Sequence, residues 1–268
     1  MIQKSNTKYF IGMFIAMIIW GIAWTSGKAA TSHSNPEIAA FWRYAISFLT
    51  IIPVVLYMKT SLKSDKEGYI YMICAGVFSA AFNYLFFKGL SHGEAGYGGT
   101  MVTSIVPILT YIFSIILFKI NVSTKQVVAL SIGIFGALIL LKVPSEGLAF
   151  LNINSSYFLA CAVVWAMVTI FSQKASKKAD PMFYTLVVFG ITAFINMIFA
   201  IPYHPFTITS FDYIFWLNIL FIVPIGAIIS SYFVYNENIA LSTILGCSFS
   251  FVAVMLFNTK NKKKLVEA

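Results

Sequence analysis

The feature that most limits what this chain can become is a succession of apolar runs, each about 20 residues long, separated by short polar breaks. A helix of that length crosses a hydrocarbon core of roughly 30 Å. Inside lipid every backbone N–H and C=O needs a partner within the segment, so such runs are read as helices. Runs and breaks place helices near 8–30, 37–58, 69–90, 97–119, 126–143, 154–173, 181–202, 211–235 and 239–257. The breaks carry turn chemistry at Ser34-Asn35-Pro36, Asp65 to Gly68, His92-Gly93, Pro144-Ser145, Asp180-Pro181 and Pro202 to Pro205. Composition agrees, with 59% of 268 residues hydrophobic and 10% charged, against about a quarter charged in a soluble domain. The chain is therefore expected to be an all-α integral membrane protein with no separate soluble domain.

A net charge of +9 could point to nucleic acid, but the basic residues are lysines, Arg43 apart, and most fall in the gaps between runs. That is a topology signal, and no nucleic-acid partner is expected. Lys4 and Lys8, then Lys59, Lys63 and Lys66, then Lys119 and Lys125, then Lys174, Lys177 and Lys178 mark every second gap as cytoplasmic. The N-terminus is then inside, and its long apolar stretch, which lacks a small-residue cleavage site, is read as a retained helix. Cys74, Cys161 and Cys247 sit inside apolar runs without metal or disulfide spacing and are read as packing residues. His33, His92 and His204 map to outer gaps without supporting ligands, so no metal site is expected. Phosphate-loop, nucleophile-elbow and zinc-protease motifs are absent. No enzyme activity and no cofactor are expected.

The chain also resembles itself. Sliding it by 145 residues places Trp20 on Trp165, Ala30 on Ala175, Pro36 on Pro181 and Ile46 on Ile191. Sliding it by 117 places Ile105-Val106-Pro107-Ile108 on Ile222-Val223-Pro224-Ile225, Ser114 on Ser231 and Asn121 on Asn238. The two offsets differ by 28 residues, about one membrane helix with its turn. The expectation is two five-helix repeats, residues 1–143 and 154–258, the second short by its eighth helix between about Trp216 and Ile222, then a basic tail at 259–268. Charge supports this count, because Lys260, Lys262, Lys263 and Lys264 should share the side of the N-terminus, which ten crossings allow and nine do not. An odd number of helices per repeat inverts the second repeat relative to the first.

Several stretches resemble the drug/metabolite transporter superfamily, specifically its EamA-type members. They are Trp20-Gly21, Asn35-Pro36-Glu37 followed by Phe41-Trp42-Arg43-Tyr44, Ala95-Gly96-Tyr97-Gly98-Gly99 leading to Ser104-Ile105-Val106-Pro107, and Val223-Pro224 followed by Glu237 and Gly246. The likeness covers nearly the whole chain, departing from the pattern at the missing eighth helix and at Ile120, opposite Glu237. It implies a ten-helix carrier with a cavity between two repeats, commonly an exporter of amino acids and other metabolites. The implied partners are a small-molecule substrate and the lipid bilayer of the cell inner membrane, with a homodimer left open. Both termini would be cytoplasmic in the intact ten-helix form.

Substrate-binding candidates follow from residue type and depth. Arg43 falls about two turns into the second helix, and an ionisable residue there is a functional candidate. Its planar fork suits a substrate carboxylate; the alternative is an arginine that snorkels to the outer face. Trp20 and Trp24 share one helix face, with Trp165 matching Trp20 in the other repeat. They could stack on an aromatic or cationic substrate, or anchor the core or interface, the role assigned to Trp42 and Trp216. Asn83, Tyr84, Tyr97 and Thr100 supply polar groups at membrane depth. Gly96, Gly98 and Gly99 allow a close helix approach. Glu37 and Glu94 are read as solvated, leaving no carboxylate for a proton relay. Pro107 and Pro224, at equivalent places, are candidate gating bends.

Overall fold

A computed structural model describes residues 21, 23–57, 59–119, 123–140 and 153–220. Trp20, Pro224, Glu237, Cys247, the 239–257 span and the basic tail lie outside the described residues. So do the first part of the 8–30 span and the end of the 211–235 span.

Every regular element among the described residues is helical. Residues 23–33 form α1, followed by α2 (Pro36–Tyr57), α3 (Lys66–His92), α4 (Ala95–Phe118) and α5 (Thr124–Leu140). Next come α6 (Ile153–Ala175), α7 (Pro181–Ala200) and α8 (Tyr213–Leu220), with short 3₁₀ turns at Ile201–Tyr203 and Ile208–Ser210. Among the described residues five segments are long and apolar enough to cross a membrane: Pro36–Tyr57, Lys66–His92, Ala95–Phe118, Ser155–Ala175 and Pro181–Tyr203. Side chains such as Leu56, Ile116, Phe135, Phe194 and Ile198 stay exposed, a perimeter suited to lipid contact.

Caps lie where the polar breaks foretell them. Asp65 accepts a hydrogen bond from the Gly68 N–H at 2.7 Å and Asp180 one from Met182 at 2.8 Å, opening α3 and α7. Pro181 takes the first helical position of α7, where its missing N–H costs nothing. Gly93 ends α3 by donating to the Gly89 carbonyl at 2.7 Å.

The gaps sort onto two ends of the bundle. At one end Lys178 Nζ pairs with Asp65 at 2.6 Å and Glu67 at 2.8 Å, and Ser64 Oγ donates to the Lys178 carbonyl at 3.0 Å. Lys174 lies over the Phe118 ring there, 4.0 Å from its centroid. Three lysine-bearing gaps thus share one end. At the other end Lys28 donates to the Gly93 carbonyl at 2.9 Å, His33 meets Asp212 at 2.6 Å, and the Trp42 indole donates to the Pro205 carbonyl at 2.9 Å. Tyr157 near the start of α6 packs tilted beside His92, also at that end. It follows that α1 runs toward this second end and α6 away from it, while α2 and α7 run in opposite directions.

The core forms where α3 packs along α6, α2 along α7, and α4 against α6. Small residues permit this closeness: Ala39, Ala40, Ala75, Ala80 and Ala162 are buried. A Cβ on Gly76 would stand 2.8 Å from Ile191, and at the same crossing Thr192 donates to the Gly76 carbonyl at 3.3 Å.

Candidate functional site

Arg43 projects from α2 into a wall of aromatic rings. Its Cζ lies 4.9 Å from the centroid of Phe86, 5.8 Å from that of Tyr44 and 5.9 Å from that of Phe87. Faces of aromatic rings attract a guanidinium, but they leave its N–H donors unfilled, and Nη1 is buried with no hydrogen-bond partner. Phe86 and Phe87 belong to the last two turns of α3, so the side chain reaches back toward the end where α2 begins. That direction agrees with snorkelling; the head stops against rings and makes no bond to loop carbonyls through Nη1.

Phe86 is the hub. Trp24 packs edge-on to it with centroids 4.8 Å apart, and on its other side faces Phe158 at 6.0 Å. Phe82 joins Phe86 at 5.9 Å and Trp165 at 4.4 Å, while Tyr97 reaches Phe158 at 6.4 Å. The structure therefore links Arg43, Trp24, Trp165 and Tyr97 through three phenylalanines that sequence reasoning did not single out. The only signal for Phe82 and Phe86 was their position at i and i+4 on α3, and Phe158 on α6 carried none in a chain with 26 phenylalanines.

Trp24 is 1% exposed and sealed into the core, with its Nε1 unpartnered. Asn83 is buried, its amide donating to the Ala40 carbonyl at 2.8 Å and its Oδ1 left without a partner. Asn196 on α7 repeats this pattern, donating to Ala80 at 3.4 Å and Thr192 at 2.9 Å with Oδ1 unpartnered. Tyr84 stands apart, half-buried beside Phe199 at 5.3 Å. The Thr100 hydroxyl returns to its own helix, donating to the Gly96 carbonyl at 2.9 Å and the Tyr97 carbonyl at 3.1 Å. Pro107 sits within α4, which runs unbroken from Ala95 to Phe118.

One expectation is corrected. Glu37 is not solvated: it is 4% exposed, and Lys88 Nζ lies 2.7 Å from its Oε1. A carboxylate in the first turn of a helix packed against lipid-facing neighbours needs a cation to remain charged, and α3 delivers Lys88 to it. Glu94 is exposed, as expected. Among the described residues no group of acidic, histidine and cysteine side chains could hold a metal ion.

A model of the EamA-like transporter family matches residues 7–142, half of the chain. The chain belongs to the EamA-like transporter family. As a member with several apolar helices long enough to cross a bilayer, it is a multi-pass membrane protein. Its relatives include YyaM of Bacillus subtilis (strain 168), described as an uncharacterized transporter, 24% identical over 193 residues covering 68% of this chain. The chain spans only 62% of the length of YyaM. YvbV of the same organism, also an uncharacterized transporter, is 24% identical over 296 positions, covering 99% of this chain and 96% of the relative. A third, an uncharacterized transporter of Archaeoglobus fulgidus, is 23% identical over 74% of this chain and 67% of its own. A solved structure described only as the crystal structure of a protein superposes with a TM-score of 0.62 at 16% identity, over 91% of this chain and 94% of that one. That likeness concerns the fold alone.

Proposed function

We propose that this EamA-like transporter exports amino acids or related small carboxylates across the cell membrane by alternating access between two inverted repeats, 1–143 and 154–258. The observation that carries the substrate class is the Arg43 guanidinium, held over Phe86 with Nη1 buried and unpartnered. An unfilled charged donor away from water is costly, and a carboxylate is the ligand whose geometry a guanidinium fork fits best. The repeat reading draws support from the opposite directions of α1 and α6 and of α2 and α7. A second repeat short of one helix is also consistent with YvbV, whose alignment runs over 296 positions against the 268 residues here. Both termini are then cytoplasmic in the ten-helix arrangement.

The test is exchange of radiolabelled amino acid by the full chain in proteoliposomes. Arg43→Gln is expected to abolish the preference for carboxylate substrates over their amides, and unchanged selectivity would remove Arg43 from the site. A second reading, export of organic cations, is favoured by the ring assembly of Trp24, Phe86, Phe158 and Tyr97. Exchange of tetraethylammonium with no exchange of amino acid would select it. Exchange of neither would instead favour a non-transporting membrane partner.

A further inference from the structure

Glu37 is the one buried acidic side chain among the described residues, and nothing in the reading above uses it. It stands six residues before Arg43 on α2, roughly 9 Å of helix rise. Three consecutive residues of α3 serve both charges: Phe86 and Phe87 lie under the Arg43 guanidinium, and Lys88 meets Glu37 at 2.7 Å. Because the arginine reaches back toward the beginning of α2, the two opposite charges converge on one short stretch of α3. We infer that Glu37 is an ammonium site that complements the carboxylate site proposed at Arg43, with Lys88 as a resident cation that the substrate's ammonium displaces. The chemical class that carries both charges a few bonds apart is a zwitterionic α-amino acid. This rests on the carboxylate role proposed for Arg43 and adds the second anchoring group.

Exchange of one ammonium for another is what the local chemistry permits. A buried carboxylate stripped of its cation is strongly unfavourable, but replacement of Lys88 by a substrate ammonium leaves Glu37 paired throughout. Lys88 can leave without being stranded. Its side chain is 22% exposed, its Nζ lies 5.9 Å from the Tyr84 ring centroid, and its four-carbon stem lets the head reach water while the stem stays packed. Among the described residues Arg43 has no such mobile counter-ion, and it waits for an anion with its Nη1 unfilled.

The experiment compares leucine, its 2-oxo acid, which keeps the carboxylate and lacks the ammonium, and 3-methylbutylamine, which does the reverse, in proteoliposomes of the full chain. Wild type is expected to exchange leucine faster than either single-charge probe. Glu37→Gln is expected to lower the leucine to 2-oxo acid ratio at least about tenfold, the size of a lost charge-assisted hydrogen bond, whereas Arg43→Gln lowers both carboxylates together. Equal loss of both carboxylates in Glu37→Gln would show that the pair only ties α2 to α3 and would overturn the inference. If that variant does not fold, Lys88→Arg decides, because it keeps Glu37 paired: a fork that holds the carboxylate more firmly than an ammonium should raise the half-saturating leucine concentration relative to the 2-oxo acid, and a fall or no change overturns it. Wild type that moves the 2-oxo acid as well as leucine leaves the Arg43 reading standing and sinks this one. Wild type that moves neither carboxylate sinks both.

Discussion

Phe158 of α6 sits in a socket walled by glycine: a Cβ would come within 2.7 Å of its ring from Gly89, 2.8 Å from Gly93 and 2.5 Å from Gly98. Helices in lipid gain little from the hydrophobic effect when they associate, so close van der Waals contact of this kind holds them. Overfilling such a site costs about 1–3 kcal/mol. Gly98→Ala is expected to lower the midpoint of thermal unfolding in detergent, and Gly98→Ala combined with Phe158→Leu to recover part of the loss; no recovery would place the strain elsewhere. The sequence announced the close approach through Gly96, Gly98 and Gly99 but not the ring that fills it, since 26 phenylalanines are interchangeable without coordinates. Glu37 was misjudged for a similar reason. Proximity to a helix end implied water, whereas Lys88, 51 residues away, arrives to hold it in the packed interior.

At the scale of elements, α2, α3, α4, α6 and α7 begin or end within three residues of the positions that apolar run length and Pro, Gly and Asp punctuation indicate. Local chemistry suffices there, because each boundary is a cap or a turn built from its own neighbours. Pro107 removes the hydrogen bond that its N–H would make to the Thr103 carbonyl, yet α4 continues through it. Pro107→Ala should therefore restore a bond and stiffen the helix. We expect slower substrate exchange with a smaller change in folded yield, compared by size-exclusion recovery; equal losses would refute a gating role.

The capped start of α3 also carries a pH signature. Hydrogen bonds from Lys178 and from the Gly68 N–H hold the Asp65 carboxyl below its usual range, and the same pairing with Asp65 and Glu67 raises Lys178 above its own. A lowered carboxyl stabilises the fold above the ordinary Asp range and loses that contribution as pH falls through its lowered value. A raised ammonium stabilises below the ordinary Lys range and loses it as pH climbs past the raised one. The stability difference between wild type and Lys178→Met should accordingly be flat from about pH 5 to 9 and shrink below that range. A difference that changes through neutrality would contradict the pairing.

Across the whole molecule, the lysine-rich end is fastened between the α2–α3 and α6–α7 connections by Lys178, Asp65, Glu67 and Ser64. The opposite end is fastened by His33 with Asp212 and by Trp42 with Pro205. The proposed alternating access requires one fastening to open while the other holds. A disulfide between cysteines introduced at Ser64 and Lys178 is expected to arrest exchange, with recovery on reduction. Undiminished exchange in the cross-linked protein would mean that this end does not move.

By itself the sequence determined that the chain is a membrane-spanning helical protein, where most of its helices start and stop, and which gaps share a side. These properties follow from run length, caps and lysine placement, all local in the chain. Only the tertiary structure decided that Phe86 joins Arg43 to Trp24, that Phe158 fills the glycine socket, and that Glu37 is buried against Lys88. Those facts depend on which face of one helix meets which face of another, and in a protein whose interior and exterior are both apolar, hydrophobicity cannot distinguish the face that packs from the face that meets lipid.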